Sequence, residues 1–227
     1  MSASALPHFD AVPLLQCLNA EERALLAPVS RVVVYEKGEE VFREGEPATD
    51  LCFIVIGRVK VVKAAPERDV ILGLFGIGEP IRAVALFEGK RFPASAVALE
   101  PSTILRVPER EFFATIDGHP EMTRRLLQGL MLRQFEISRR LADLTGSVEK
   151  RIARLLLMLA ARVGQREGEG ATIPLVLSRQ DIADLTATTV ESAIRVMSRW
   201  GKENVVITGP EGFSIPDFQA LQALTRD

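Results

Sequence analysis

The spacing of hydrophobic positions changes twice along the chain. From His8 to Ala27 it is helical: Leu14, Leu15 and Leu18, then Asn19 as a cap before Glu21, Glu22, Leu25 and Leu26. From Val29 short β-branched and apolar runs take over, at Arg31–Tyr35, Val41–Phe42, Leu51–Ile56, Arg58–Lys63, Val70–Phe75, Ala94–Leu99 and Thr103–Val107. Turn residues separate them, as at Lys37-Gly38-Glu39, Glu44–Pro47 and Gly57. Many short strands with frequent turns predict a β-roll or barrel. Seven of the sixteen glycines lie between Gly38 and Gly89, whereas no proline interrupts the stretch between Pro120 and Pro174. The second stretch therefore permits long helices.

Glu109–Phe113 reads as a short helix, and His119-Pro120 starts a long one. Along it Leu127, Leu130, Ile137, Leu141 and Leu144 repeat in steps of three and four, with Gln134 in the one gap. That is a heptad seam of about two and a half repeats. It fits either an amphipathic helix packed on its own β domain or a two-helix dimer seam with Gln134 setting the register. Thr145-Gly146-Ser147 interrupts the pattern and reads as a hinge and domain boundary. Ser147 caps a further helix with Val148, Ile152, Leu155, Leu156 and Leu159 on its buried face. Gly164–Gly170 reads as a polar loop.

Ser178 caps a helix carrying Ile182 and Leu185; Thr186-Ala187 breaks it; Thr188 or Thr189 caps a second helix with Ala193, Val196, Met197 and Trp200 on one face. Two short helices about a tight turn form the helix-turn-helix pattern, whose second helix lies in a DNA major groove. Val205–Thr208 and Gly212–Ile215 flank Gly209-Pro210-Glu211 as a hairpin wing.

Composition narrows the function. With 47% hydrophobic and 26% charged residues the chain is an ordinary globular one, and its net charge of −2 gives no overall attraction to polyanions. Residues 145–227 carry ten basic and ten acidic side chains, so any DNA affinity comes from a one-sided patch, helix N-termini and doubling by a dimer. Two cysteines, Cys17 and Cys52, cannot supply a four-thiolate cluster or zinc site. No apolar run approaches the ~20 residues of a membrane span. Met1–Asp10 lacks the basic start and apolar core of a secretion signal. The expectation is a cytoplasmic protein without membrane association. No paired-acid, Ser/His/Asp or Cys/His grouping points to an enzyme.

Three stretches resemble the Crp/Fnr family of dimeric bacterial transcription regulators. They are Tyr35–Ala48 continued through Phe53–Lys60, the helix from Arg151 to Leu159, and Ser178–Ala183 with Thr189–Arg195. The resemblance spans nearly the whole chain. It implies an α+β fold in three parts: a cyclic-nucleotide-binding-like β-roll over 1–119, a dimerisation helix over 120–145, and a winged helix-turn-helix over 146–227. The family's base-reading Glu and Arg, four residues apart, match Glu191 and Arg195. That spacing puts both on one helix face; a carboxylate accepts from cytosine N4, and a guanidinium donates twice to guanine. Val190 is placed to touch a thymine methyl. The Val190-Glu191 pair is closer to the Fnr branch, but Ile194 stands where Fnr-like members carry Ser. A capping box between Thr188 and Glu191 is the structural alternative. Thr188, Thr189, Ser192, Arg179, Arg199 and Lys202 are candidates for phosphate contact.

In the roll, the family's ribose-binding Glu aligns with Ala83 and its phosphate-binding Arg-Ser pair with Phe92-Pro93. The purine-contacting Thr-Ser pair aligns with Glu136-Ile137. A phosphate buried against Phe92 and Pro93 is left unpaired. Cyclic AMP in the usual mode is therefore not expected. Arg82, Lys90 and Arg91 are either solvated loop charges or a site for another anion. No cofactor is expected: the cysteine count excludes the Fnr iron–sulfur cluster, and His8 and His119 lie in no haem-ligand grouping. The expected function is a homodimeric regulator reading a palindromic site in double-stranded DNA, with RNA polymerase as a further partner. The competing reading is a small-ligand sensor acting on a protein partner.

Overall fold

The structure is a computed structural model describing residues 5–66, 69–81 and 91–225. Its first part holds seven strands: β1 (Arg31–Tyr35), β2 (Glu40–Phe42), β3 (Asp50–Ile56), β4 (Val59–Lys63), β5 (Val70–Phe75), β6 (Ser95–Ala98) and β7 (Ser102–Pro108). They form two antiparallel sheets, ordered β1-β7-β3 and β2-β6-β4-β5. Strand β3 is apolar from Leu51 onward, and Leu51–Val55 are buried because both faces of that stretch are covered. Cys52 and Ile54 enter a core between the sheets with Val59, Val61, Ala96 and Ile104. Leu51, Phe53 and Val55 face the opposite way, into a second core with Phe9, Leu15, Leu105, Phe112 and Met122. Gly57 makes the β3–β4 turn at φ +85°, where an added Cβ would stand 2.6 Å from the Pro101 carbonyl oxygen.

Helices α1 (Ala20–Leu26), α2 (Glu109–Asp117) and α3 (Pro120–Asp143) border this roll. The opening segment is not the continuous helix that its spacing predicts. A 3-10 turn covers Leu6–Ala11, and α1 starts only after Asn19, which forms a reciprocal cap with Glu22. Pro13 interrupts: it lacks an amide hydrogen and restricts the residue before it.

The second part begins with α4 (Val148–Val163), capped by Ser147 as expected. Next come β8 (Gln165–Glu167) and β9 (Gly170–Ile173), so the predicted loop at Gly164–Gly170 is instead the turn and outer strand of a hairpin. Strand β8 is exposed along its whole length, which leaves no apolar alternation to read. Helices α5 (Arg179–Leu185) and α6 (Val190–Lys202) follow, then β10 (Ile207–Gly209), β11 (Gly212–Ile215) and α7 (Phe218–Ala223). The strand order β10-β11-β9-β8 makes the wing part of a four-stranded sheet. The first wing strand starts later than expected. Val205 instead donates its amide to the Trp200 carbonyl and closes the end of α6.

The chain divides into two compact units, one ending at Arg133 and one starting at Gln134. The division falls inside α3, not at its two ends. Met122 and Leu126 at its start belong to the roll's core. At its far end Arg154 Nη1 donates to the carbonyls of Asp143 (3.4 Å) and Thr145 (2.8 Å), spanning the predicted hinge. Gly146 does turn the chain, at φ +89°. Among the described residues no helix is long and apolar enough to cross a membrane.

Candidate nucleic-acid interface

Two caps and one clamp build the helix-turn-helix. The Ser178 side chain accepts the Asp181 amide, and the Asp181 carboxylate accepts the Ser178 amide, which starts α5. Ile182, Ala183 and Leu185 bury its inner face. The chain then turns through Thr186, Ala187 and Thr188, with Ala187 at φ +48°. The Thr188 amide donates back to the Ala183 carbonyl (2.9 Å). From α4, Arg151 Nη1 donates to the carbonyls of Thr186 and Ala187, both at 2.8 Å. Thr189 then caps α6, its hydroxyl accepting the Ser192 amide at 3.3 Å.

Helix α6 buries Ala193, Val196, Met197 and Trp200 and leaves Glu191, Ile194, Arg195 and Ser198 exposed on the other side. Because Thr189 is the cap, the residue three positions on is Ser192, so the predicted capping box between Thr188 and Glu191 does not form. Glu191 sits in the first turn, where the helix dipole favours a carboxylate. Arg195 lies one turn further along, with Nη2 3.5 Å from the Ser192 hydroxyl. Val190, the first residue of α6, is half-buried.

The predicted phosphate contacts separate into groups. Thr188 is only 7% exposed, so it belongs to the turn's packing and not to the surface. Thr189 and Lys202 are exposed at opposite ends of α6, and Ser192 is half-buried. Arg179 reaches the wing, donating to the Thr208 hydroxyl at 3.0 Å. Partial burial lowers its pKa, though it remains a cation. Arg199 pairs with Glu149 of α4 (2.6 Å) and with Glu203 (3.8 Å). The hydrogen bond to Glu149 raises its pKa. Arg199 thus joins two helices of its own unit. Sequence reasoning missed Arg151, whose partners lie thirty-five and thirty-six residues away.

On α3, Leu127, Leu130, Ile137 and Leu141 are between 40% and 66% exposed. Gln134 is exposed among them, and Leu144 is half-buried just past the helix end.

In the roll, Phe92 is 6% exposed and stacks on Phe42, ring centroids 3.9 Å apart and nearly parallel. The Pro93 carbonyl accepts from Lys63 Nζ (2.9 Å), and Arg91 donates to the Gly45 carbonyl (2.6 Å). Glu136 is exposed on α3. Arg82, Ala83 and Lys90 lie outside the described residues. Cys52 is buried, and burial pushes the pKa of Cys17 up. His119 caps α3, its Nδ1 accepting the Met122 amide at 3.2 Å.

Comparison with known proteins matches two family models, one near each end of the chain. Residues 32–119 match the cyclic nucleotide-binding domain, and residues 150–224 match the Crp-like helix-turn-helix domain. The CRP-like cAMP-activated global transcriptional regulator of Mycobacterium tuberculosis is 26% identical over 215 residues, 94% of this chain and 96% of that protein. The nitrogen fixation regulation protein FixK of Bradyrhizobium diazoefficiens is 26% identical over 211 residues, 91% and 87% of the two chains. The structure of FixK2 from Bradyrhizobium japonicum shares the fold, with TM-score 0.74 at 21% identity over 88% of this chain and 98% of that one. With its roll, long helix and helix-turn-helix all present, the chain belongs to the Crp/Fnr family of DNA-binding transcription regulators.

Proposed function

We propose that the protein is a cytoplasmic homodimer that binds a palindromic site in double-stranded DNA and regulates transcription through RNA polymerase. The observation that carries this is the face of α6. Glu191 and Arg195 stand exposed one turn apart, opposite a fully packed face ending at Trp200. On this reading Arg195 donates to guanine N7 and O6, and Glu191 accepts from cytosine N4. Thr189 and Lys202 meet phosphates at either end. The exposed stripe from Leu127 to Leu141 pairs with its copy, which presents two such helices to half-sites about one DNA turn apart.

On this reading cyclic AMP in the usual mode is not the effector, because Phe92 and Pro93 stand at the phosphate-binding pair and Phe92 is buried in a stack with Phe42. Regulation is therefore by another effector or by the protein's own abundance. The reading needs no iron–sulfur cluster or haem, and it assigns the chain a binding role without catalysis. Selection of binding sites from random duplex DNA tests the proposal. Wild type is expected to yield a palindrome, and Arg195→Ala to lose preference at one guanine per half-site. Equal binding of all sequences by both proteins would refute base reading.

A further inference from the structure

The exposed side of α6 carries two parallel rows. One is Glu191 and Arg195. The other is Val190 and Ile194, also four residues apart and therefore also one turn apart on the surface. Val190 is half-buried, but Ile194 is 46% exposed, next to Arg195 in sequence and one turn from Glu191. Ile194 thus presents nearly half of a large β-branched side chain to solvent on an otherwise polar surface. The packing of α6 is supplied by Ala193, Val196, Met197 and Trp200.

On the reading of α6 as the groove helix, that position faces base edges. The major-groove edges of guanine, cytosine and adenine present hydrogen-bond donors and acceptors. Thymine alone adds a methyl group. An isoleucine offers no hydrogen bond, and over a cytosine amino group or a guanine oxygen it would strip water without replacing it. We propose that Ile194 is a specificity-determining residue: it packs against the C5 methyl of one thymine per half-site and selects against the other bases there. The thymine lies beside the pair read by Glu191 and Arg195, because the three side chains project from the same turn and a half of helix.

Replacing thymine by uracil removes only that methyl, which makes the test direct. The probe is the duplex selected by wild type, with each thymine replaced in turn by deoxyuridine, and the readout is fluorescence anisotropy with the full-length protein. Wild type is expected to lose about fourfold in affinity at one thymine per half-site, the ~0.8 kcal/mol of one buried methyl. Replacing both symmetric thymines should cost about fifteenfold. Ile194→Ala and Ile194→Ser should become indifferent to uracil at that position, while still discriminating at the guanine that Arg195 reads. Ile194→Val should keep part of the effect. A scan in which no thymine matters, or in which the sensitive thymine stays sensitive in Ile194→Ala and not in Val190→Ala, overturns the assignment. If wild type selects no sequence at all, the groove reading fails and this inference with it. If it selects a site but the scan is flat, only the role of Ile194 falls.

Discussion

Truncating Arg151 to alanine removes a clamp on the turn between α5 and α6. Its Nη1 donates to two main-chain carbonyls, those of Thr186 and Ala187, each at 2.8 Å. A hydrogen bond from a charged donor contributes about 1.5–3 kcal/mol, so two contribute about 3–6 kcal/mol. Against this stands the buried Arg151 Nε, which has no hydrogen-bond partner. Leaving such a group unsatisfied costs about 1–3 kcal/mol, and truncation removes that cost. The expected net loss of stability is about 2–3 kcal/mol. Trp200 is the only tryptophan and is 1% exposed on α6, so its fluorescence reports on this unit. With a urea slope of about 1–3 kcal/mol per molar, the midpoint should fall by roughly 1 M with the slope unchanged. Arg151→Lys, which keeps the charge without the planar head, should fall between the two. A midpoint within about 0.2 M of wild type would show that the clamp does not hold the turn, since at that slope the difference is no more than ~0.6 kcal/mol.

Three further outcomes follow from the geometry. Leu130→Asp and Ile137→Asp each place a carboxylate in the exposed stripe of α3 and should give monomers in sedimentation; an unchanged mass removes the stripe as the dimer seam. Ala187→Gly relieves a left-handed alanine at a strain of about 1–2 kcal/mol, against about 0.4–1 kcal/mol of added freedom in the unfolded chain. The Trp200 transition should therefore move up, by no more than about 1.6 kcal/mol, and a downward shift would show that the turn carries no strain. At Cys17 burial holds the thiol above its ordinary pKa, so the reactive thiolate is scarce at neutral pH. Alkylation by iodoacetamide should be slower in the native protein than in urea, with a rate still rising at pH 9; a plateau below pH 8 would indicate an activated thiol instead.

The strands of the roll were legible in the sequence because burial there is unambiguous. Leu51–Val55 of strand β3 are apolar at every position since that stretch is covered on both faces, and Gly57 marks the turn that no side chain could occupy. Strand β8 was not legible, because an exposed edge of Gln165, Arg166 and Glu167 has no face to announce. Helix α7 hangs on one buried residue, Leu221, too little for a period. At the site, the choice between Thr188 and Thr189 as cap was not legible, because two adjacent threonines are equally good caps; the structure uses Thr189. The pairing of Glu191 with Arg195 was visible because four residues make one helical turn. The engagement of Arg199 by Glu149 was not, since a partner fifty positions away leaves no local trace.

The two bonds from Arg154 to the carbonyls of Asp143 and Thr145 bridge the segment predicted as a hinge. The tail of the rod and the reading head travel as a single piece. In the proposed dimer, the gap between heads is then a calliper setting and not the reach of a leash. Adding one base pair between half-sites swings the second one by about 35° and carries it ~3.4 Å away. On that proposal, the lengthened operator is a different address.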